Sequence, residues 1–269
     1  VHPIERLRYV ARANGVSPGL AVRESASAMR AFAADPHALV TACRRMIDRQ
    51  PAVAPLWWLG CRLLTAADPV REIGAVLDEL AADATVRELE FALPADATVC
   101  VIGWPDLVGE ALLRRGDLRV LVVDAHREGA GFASRLVQAD IDCDDVPVEA
   151  MAQAVLASDV LLLEAAAATV DTVLGVTGSL AAAACARQSG VPVWLTMGVG
   201  RLLPRNVFAA LVERAGLDDT PWRHDDERVP ASCIDVVVGP GGRRDAAVAL
   251  RDITCPVAPE LLKDRRSID

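Results

Sequence analysis

The sequence predicts an α/β chain, with a helical amino-terminal domain over residues 1–94 and a domain built on a mainly parallel sheet over 95–269. Three observations predict it. Apolar residues recur at three- and four-residue spacing up to about Pro94, the helical period. From Ala95 they gather instead into short β-branched runs that alternate with helix-like segments, which implies parallel strands joined by right-handed crossovers. The length of 269 residues exceeds one typical domain of about 150.

In the helical half the periodic segments are IERLRYVARA, AVRESASAMRAFAA, ALVTACRRMI and VREIGAVLDELAADATVRELEFAL. Asp35-Pro36 and Asp68-Pro69 each set a capping carboxylate before a proline, the favoured opening of a helix. Trp57 and Trp58 point in different directions on any helix, so one can serve the core while the other meets a partner; the plainer reading is two partly buried anchors.

In the second half the expected strands are TVCVIG (98–103), LRVLVVD (118–124), SDVLLLE (158–164), VPVWLT (191–196) and CIDVVVG (233–239), with IDCDDVP (141–147) a weaker candidate. Ligands of open parallel sheets bind beyond the carboxyl ends of the strands. That directs attention to Gly103-Trp104-Pro105, Asp124-Ala125-His126-Arg127, Glu164-Ala165-Ala166 and Thr196-Met197-Gly198.

Composition narrows the function. A formal net charge of -9 repels polyanions, so nucleic acid is not an expected partner. The seven cysteines are odd in number and widely spaced, without a CxxC pair or interleaved histidines, which favours reduced thiols over disulfides or zinc. The opening VHPIERLRYV carries charge where a signal peptide needs an apolar core, and no apolar run reaches the ~18 residues of a membrane span. A cytoplasmic protein without cofactor or metal is expected.

Each candidate motif has a functional reading and a plainer one. Gly175, Thr177, Gly178 and Ser179 precede an alanine-rich helix, where free amides and the helix dipole can cradle a phosphate; equally, Thr177 or Ser179 can simply cap the helix. Arg127 can hold a phosphate bidentately and His126 can move a proton near neutral pH, but a solvated loop of mixed charge looks the same. Trp104 can face a ligand or pack on the sheet edge, and Cys100, inside a strand, reads as a small core residue.

The order of these segments resembles a known family. TVCVIGWPDLVGEALLRR stands where the family has a strand ending in Thr-His-Ser/Cys. LVVDAHREGAG stands where it has Thr-Glu-Ser-Arg-Pro followed by glycine. ASDVLLLEAAAATVDTVLGVTGSLAAAACARQSGVPVWL matches its strand, Gly-Ala-Asp, Asn-Lys-x-Gly-Thr turn, helix and next strand, and ERVPASCIDVVVG resembles its closing segment. The family is that of the regulatory (alpha, beta, delta) subunits of the eukaryotic exchange factor for translation initiation factor two. Its enzyme cousins are methylthioribose-1-phosphate isomerase and ribose-1,5-bisphosphate isomerase.

The resemblance implies a Rossmann-like carboxy-terminal domain, homodimerisation through it, and a pocket between domains for a phosphorylated sugar or nucleotide. The ligand-binding candidates it leaves are Gly103, Trp104, His126, Arg127, Thr177, Gly178 and Ser179. The departures fall in that pocket. No cysteine stands near Ile102 to Trp104, where the isomerases' catalytic cysteine falls, and their catalytic aspartate falls at Ala166. The Asn-Lys pair becomes Gly175-Val176, and the phosphate-binding arginine becomes His126, with Arg127 one step away. Alanine cannot supply the general acid-base help worth about 10²–10⁴ in rate. The expectation is a non-catalytic relative that binds a phosphorylated small molecule or acts as a scaffold. The alternative is an isomerase of a ribose-phosphate derivative with rearranged groups: Asp171 or Glu164 as base, His126 or Asp124 as acid.

Overall fold

The computed structural model describes residues 18–262, so the expected helix IERLRYVARA lies outside the described residues. Five helices come first: α1 (Pro18–Met29), α2 (Pro36–Arg49), α3 (Ala54–Thr65), α4 (Pro69–Ala81) and α5 (Thr85–Ala92). Their starts follow the local chemistry. The Asp35 side chain accepts from the amides of His37 and Ala38, Asp68 does the same for Val70 and Arg71, and a proline follows each cap.

Strands and helices then alternate as β1 (Thr98–Ile102), α6 (Asp106–Leu112), β2 (Arg119–Val123), α7 (Gly129–Gln138), β3 (Asp142–Val146), α8 (Met151–Leu156) and β4 (Val160–Glu164). A hairpin of β5 (Ala167–Ala168) and β6 (Thr172–Val176) follows, then α9 (Ser179–Ser189), β7 (Val193–Thr196) and α10 (Arg205–Ala215). The chain closes with β8 (Asp226–Pro230), β9 (Val236–Gly239), β10 (Gly242–Asp245), α11 (Ala246–Ala249) and α12 (Pro259–Leu262).

Seven strands form one sheet in the order β10-β9-β7-β4-β1-β2-β3, all parallel except β10. The central strands are buried along almost their whole length, as near-continuous apolar runs between covering helices should be. Edge strand β3 instead carries Asp142, Asp144 and Asp145, charges that discourage further pairing. The α/β class and the mainly parallel sheet are therefore as the sequence predicts, and the weaker IDCDDVP strand is present. Four strands escaped it: the antiparallel edge strand β10, and β5, β6 and β8, which form a separate antiparallel sheet in the order β5-β6-β8. Two alanines of β5 give no β-branched signal, and charged β8 reads as a loop.

The described chain falls into two compact units. A helical unit collects residues up to Asp83, Val199–Asp219 and the segment from Ile253. A sheet unit collects Ala84–Gly198 and Thr220–Asp252. The sequence placed a single break after Pro94, whereas α5 packs within the sheet unit and α10 and α12 belong to the helical one. Such exchange comes from long-range packing that local periodicity cannot register.

Within the helical unit Trp57 and Trp58 are both core residues, 0% and 2% exposed. Each has an arginine over its ring, Arg214 over Trp57 at 5.0 Å and Arg62 over Trp58 at 5.2 Å. Gly200 lets the backbone lie against Trp58, since a Cβ there would meet the ring at 3.0 Å. Neither indole is left for a partner. In the sheet unit the core runs from Leu89 and Val108 through Phe132 and Leu136 to Trp194 and Val238.

Candidate functional site

The strand order changes direction at β1, whose neighbours β2 and β4 lead away to opposite edges. At such a switch point the carboxyl ends of adjacent strands part and leave a crevice. The loops after β1, β2 and β6 meet there. Gly103 has a φ of +65°, and a Cβ on it would stand 3.8 Å from both Ala125 and Val176. The chain crosses the crest here without a side chain.

Three helices that start at this crest, α6, α7 and α9, are each closed by a carboxylate of the chain itself. Glu164, the last residue of β4, accepts at Oε2 from the amides of Leu107 (2.8 Å) and Val108 (3.1 Å), capping α6. Asp124, just past β2, accepts at Oδ1 from Gly129 (2.9 Å) and Ala130 (3.3 Å), capping α7. Glu227 accepts at Oε1 from Gly178 (2.7 Å) and Leu180 (2.8 Å), capping α9. These amides and the positive end of each helix are what a phosphate would otherwise use.

The third cap depends on strand pairing. In the β6–β8 ladder Gly175 faces Glu227 and Val176 faces Asp226, which carries the Glu227 carboxylate to the turn ahead of α9. Thr177 is held in the same ladder, its amide donating to the Asp225 carbonyl (2.7 Å) and its hydroxyl to the His224 carbonyl (2.8 Å). Ser179 is 1% exposed, and its Oγ, without a hydrogen-bond partner among the described residues, would stand 3.1 Å from a Cβ on Gly175. Gly178 itself turns left-handed at φ +108°.

The remaining predicted residues sort by position. Trp104 is half exposed; its ring covers Gly131, where a Cβ would come within 3.1 Å, and lies 5.9 Å from the Phe132 ring. It thus packs on α7 with one edge open. His126 and Arg127 are exposed and occupy successive left-handed conformations, φ +54° and +64°, a strained pair of the kind found at functional turns. Asp171 lies at the exposed tip of the β5–β6 hairpin, one residue before β6 begins. At about 3.3 Å per residue the length of β6 holds it roughly 16 Å from the crest at Val176, so a role for Asp171 as a base at the crest does not fit the ladder.

Around Ala166 the alanines have a packing reason. The Ala166 amide donates to the Leu174 carbonyl, Ala165 to Thr196, and Ala165, Ala167 and Ala168 are fully buried. No carboxylate stands at Ala166. Cys100 is buried in β1, and burial pushes its thiol up to about 12, which makes it inert.

The charged group that sequence reasoning missed is Asp226. Burial, then the neighbouring Asp225 carboxylate, push its pKa up to about 6, while His126 and His224 pull the other way. His126 Nδ1 lies 3.6 Å from Asp225 Oδ1. The signal was present in HDDERVP, a run of charge directly before a proline, but its pairing with β6 was not. Among the described residues no cluster of three or more His, Cys, Asp or Glu side chains is disposed to hold a metal ion. No helix among them is long and apolar enough to cross a membrane.

Fold and crest together define an α/β chain of the switch-point class, three of whose helix starts are closed from within. No protein-family model and no curated protein matches the sequence. Among solved structures the chain is similar to the translation initiation factor eIF-2B of Pyrococcus horikoshii OT3, with a TM-score of 0.71 and 13% identity over 92% of this chain and 98% of that one. It is also similar to eIF2B beta from Chaetomium thermophilum, with a TM-score of 0.73 and 14% identity over 96% and 92% of the two chains. A third likeness is to the tetrameric eIF2B-beta2-delta2 complex from C. thermophilum, with a TM-score of 0.74 and 15% identity over 93% and 92%. The chain therefore has the fold of the eIF2B subunits, as the resemblance read from the sequence implies.

Proposed function

We propose that this chain is a non-catalytic protein of the eIF2B-subunit fold, acting in the cytoplasm as a homodimeric scaffold. The supporting observation is the triple closure of the crest: Glu164, Asp124 and Glu227 hold the amides that a phosphorylated sugar or nucleotide would need. A fixed carboxylate repels a phosphate as well as displacing it, since like charges in a partly buried site disfavour one another. The absence of an acid at Ala166 and of a thiol at Ile102 to Trp104 supports the loss of isomerase chemistry. Self-association is supported by the C. thermophilum likeness, a structure of an assembly.

The test is calorimetric titration of the full chain with ribose phosphates, methylthioribose 1-phosphate and nucleoside monophosphates, alongside sedimentation equilibrium. Silence in every titration together with a dimer mass is the expected result. A ligand bound through Gly103, Trp104, His126, Arg127, Thr177, Gly178 or Ser179, or a monomer at all concentrations, overturns the scaffold reading.

One observation favours a second reading, an aldose-ketose isomerase acting on a ribose-phosphate derivative. Asp226 titrates near the pH at which a carboxyl group can both give and take a proton, and His126 stands beside its neighbour Asp225. On that reading Asp226→Asn abolishes a measurable isomerase rate while Asp171→Ala leaves it intact. Retention of the rate in Asp226→Asn removes the reading.

A further inference from the structure

The seven-stranded sheet ends in two edges of opposite charge. Among the described strands, β3 is paired on one side only, to β2, and β10 on one side only, to β9. Strand β3 reads Asp142-Cys143-Asp144-Asp145-Val146, with its three acids exposed. Strand β10 reads Gly242-Arg243-Arg244-Asp245, with both arginines exposed. Both belong to the sheet unit. An edge strand offers a row of backbone donors and acceptors on its open side, and the acids that turn away another acidic strand suit a basic one.

We propose that the β10 edge of one copy of this chain docks antiparallel on the β3 edge of a second copy, which joins the two sheets and leaves a free edge at either end for the next copy.

The strand directions agree with this joint. Because β10 runs against its own sheet, laying it antiparallel to β3 keeps the other six strands of the incoming sheet parallel to β3. Antiparallel ladders are also slightly the more stable per residue. Charge sets the register, with Asp144 opposite Arg244 of the second copy and Asp145 opposite Arg243. Cys143 then stands opposite Asp245 and Val146 opposite Gly242, so no acid of β3 faces the acid of β10.

The faces agree as well. Traced through the registers from strand to strand, Asp144 and Arg244 lie on one face of the sheet, with Leu121 and Val237. Asp145 and Arg243 lie on the other, where the Arg243 guanidinium stands 4.5 Å from the centre of the Trp194 ring. Each pair of opposite charges therefore meets on one side of the joint. On the first face the pairing extends further. Arg119 already holds Asp144 at 2.7 Å, and Arg244 holds Asp252 at 2.9 Å. The joint sets these two pairs end to end, four charges alternating in sign, and breaks neither.

So short a ladder with exposed charges makes a weak contact that salt screens. It joins two different surfaces and so does not close on itself, whereas an isologous dimer does. It is independent of the dimer proposed above, because that dimer stops at two copies and the edge contact continues to add them.

The experiment follows the weight-average mass of the full chain by sedimentation equilibrium from about 10 μM to about 1 mM, the range of weak affinities. It is run at low salt and again at about 1 M NaCl, where the screening length falls to about 3 Å. The expected result is a mass that climbs past two copies without a plateau at low salt and falls back at high salt. Asp144→Arg and Arg244→Asp should each stop the growth, and the chain carrying both exchanges should grow again, since opposite signs then face each other across the joint. The mass series of the unaltered chain carries the result even where a variant fails to fold. A plateau at two copies overturns the edge contact and leaves the dimer standing, whereas a plateau at one overturns both. Growth that ignores salt, or that survives both single exchanges, also overturns the edge contact.

Discussion

Glu227 closes the start of the helix that Gly178 opens: one carboxylate oxygen lies 2.7 Å from the Gly178 amide nitrogen, across 49 residues of chain. The same oxygen reaches the Leu180 amide. It therefore takes the two amides that an anion at this helix start would need, and it caps the helix from within.

Replacing Glu227 by Ala leaves two amides without their acceptor. The expected cost is about 1–2 kcal/mol, or a Tm lower by roughly 2–8 °C. Inorganic phosphate should restore much of that loss in Glu227→Ala and leave the unaltered chain unchanged. Thermal melts of both proteins with and without phosphate check it. Equal responses would show that the carboxylate is not holding an anion site closed.

Two glycines should respond oppositely to alanine. At Gly129 a Cβ would stand 2.6 Å from the Asp124 Cα and 2.9 Å from the Val123 carbonyl, both backbone, so Gly129→Ala forces the crest apart at a cost of about 2–4 kcal/mol. Gly74, inside α4, has nothing within 4 Å, and Gly74→Ala should gain about 0.5–1 kcal/mol from helix propensity alone. Denaturant midpoints of the two variants decide it.

Stability should depend on Asp226 in a defined direction. Its folded pKa of about 6 lies above the ordinary value of 3.8, so between those values the folded state binds more protons than the unfolded chain. Stability present below about pH 4 is then lost as pH rises through 6, by up to about 2–3 kcal/mol. Asp226→Asn removes the ionisation. Its advantage over the unaltered chain should open between pH 4 and 6 and stay level above that range, as measured by urea unfolding at stepped pH.

Arg115 gathers the end of α5 into the sheet unit. Its guanidinium donates to the carbonyls of Glu90 (2.6 Å), Leu93 (3.1 Å) and Pro94 (3.1 Å) and grips both carboxylate oxygens of Asp117. That carboxyl lies well below the usual range because the guanidinium hydrogen-bonds it. Arg115→Ala should cost about 1.5–3 kcal/mol, and Arg115→Lys should recover little, since an ammonium cannot reproduce the planar fork. Chemical denaturation of the pair checks it; full recovery by lysine would reduce the site to a simple charge effect.

Much of the scaffold was legible because its signals are local. Asp35-Pro36 and Asp68-Pro69 set helix starts within four residues, and β1, β2, β4 and β7 announce themselves as apolar runs because both their faces are covered. The turns named from sequence, at Gly103, His126 and Thr177, do meet or flank the crest, since strand ends of a parallel sheet must gather on one side. The state of the crest was not legible. Read alone, Glu164, Asp124 and Glu227 could be acids, ligands or solvated charges.

The sequence by itself determined the α/β class, the helix starts at Asp35-Pro36 and Asp68-Pro69, and the central strands, all of which depend on residues near one another in the chain. Only the tertiary structure decided that β5, β6 and β8 form their own sheet and that both tryptophans are core. It alone decided that Glu227 shuts the turn at Gly178. The physical reason is that each of these depends on a pairing between distant segments, where the free energy lies in a hydrogen bond or contact that no local pattern encodes.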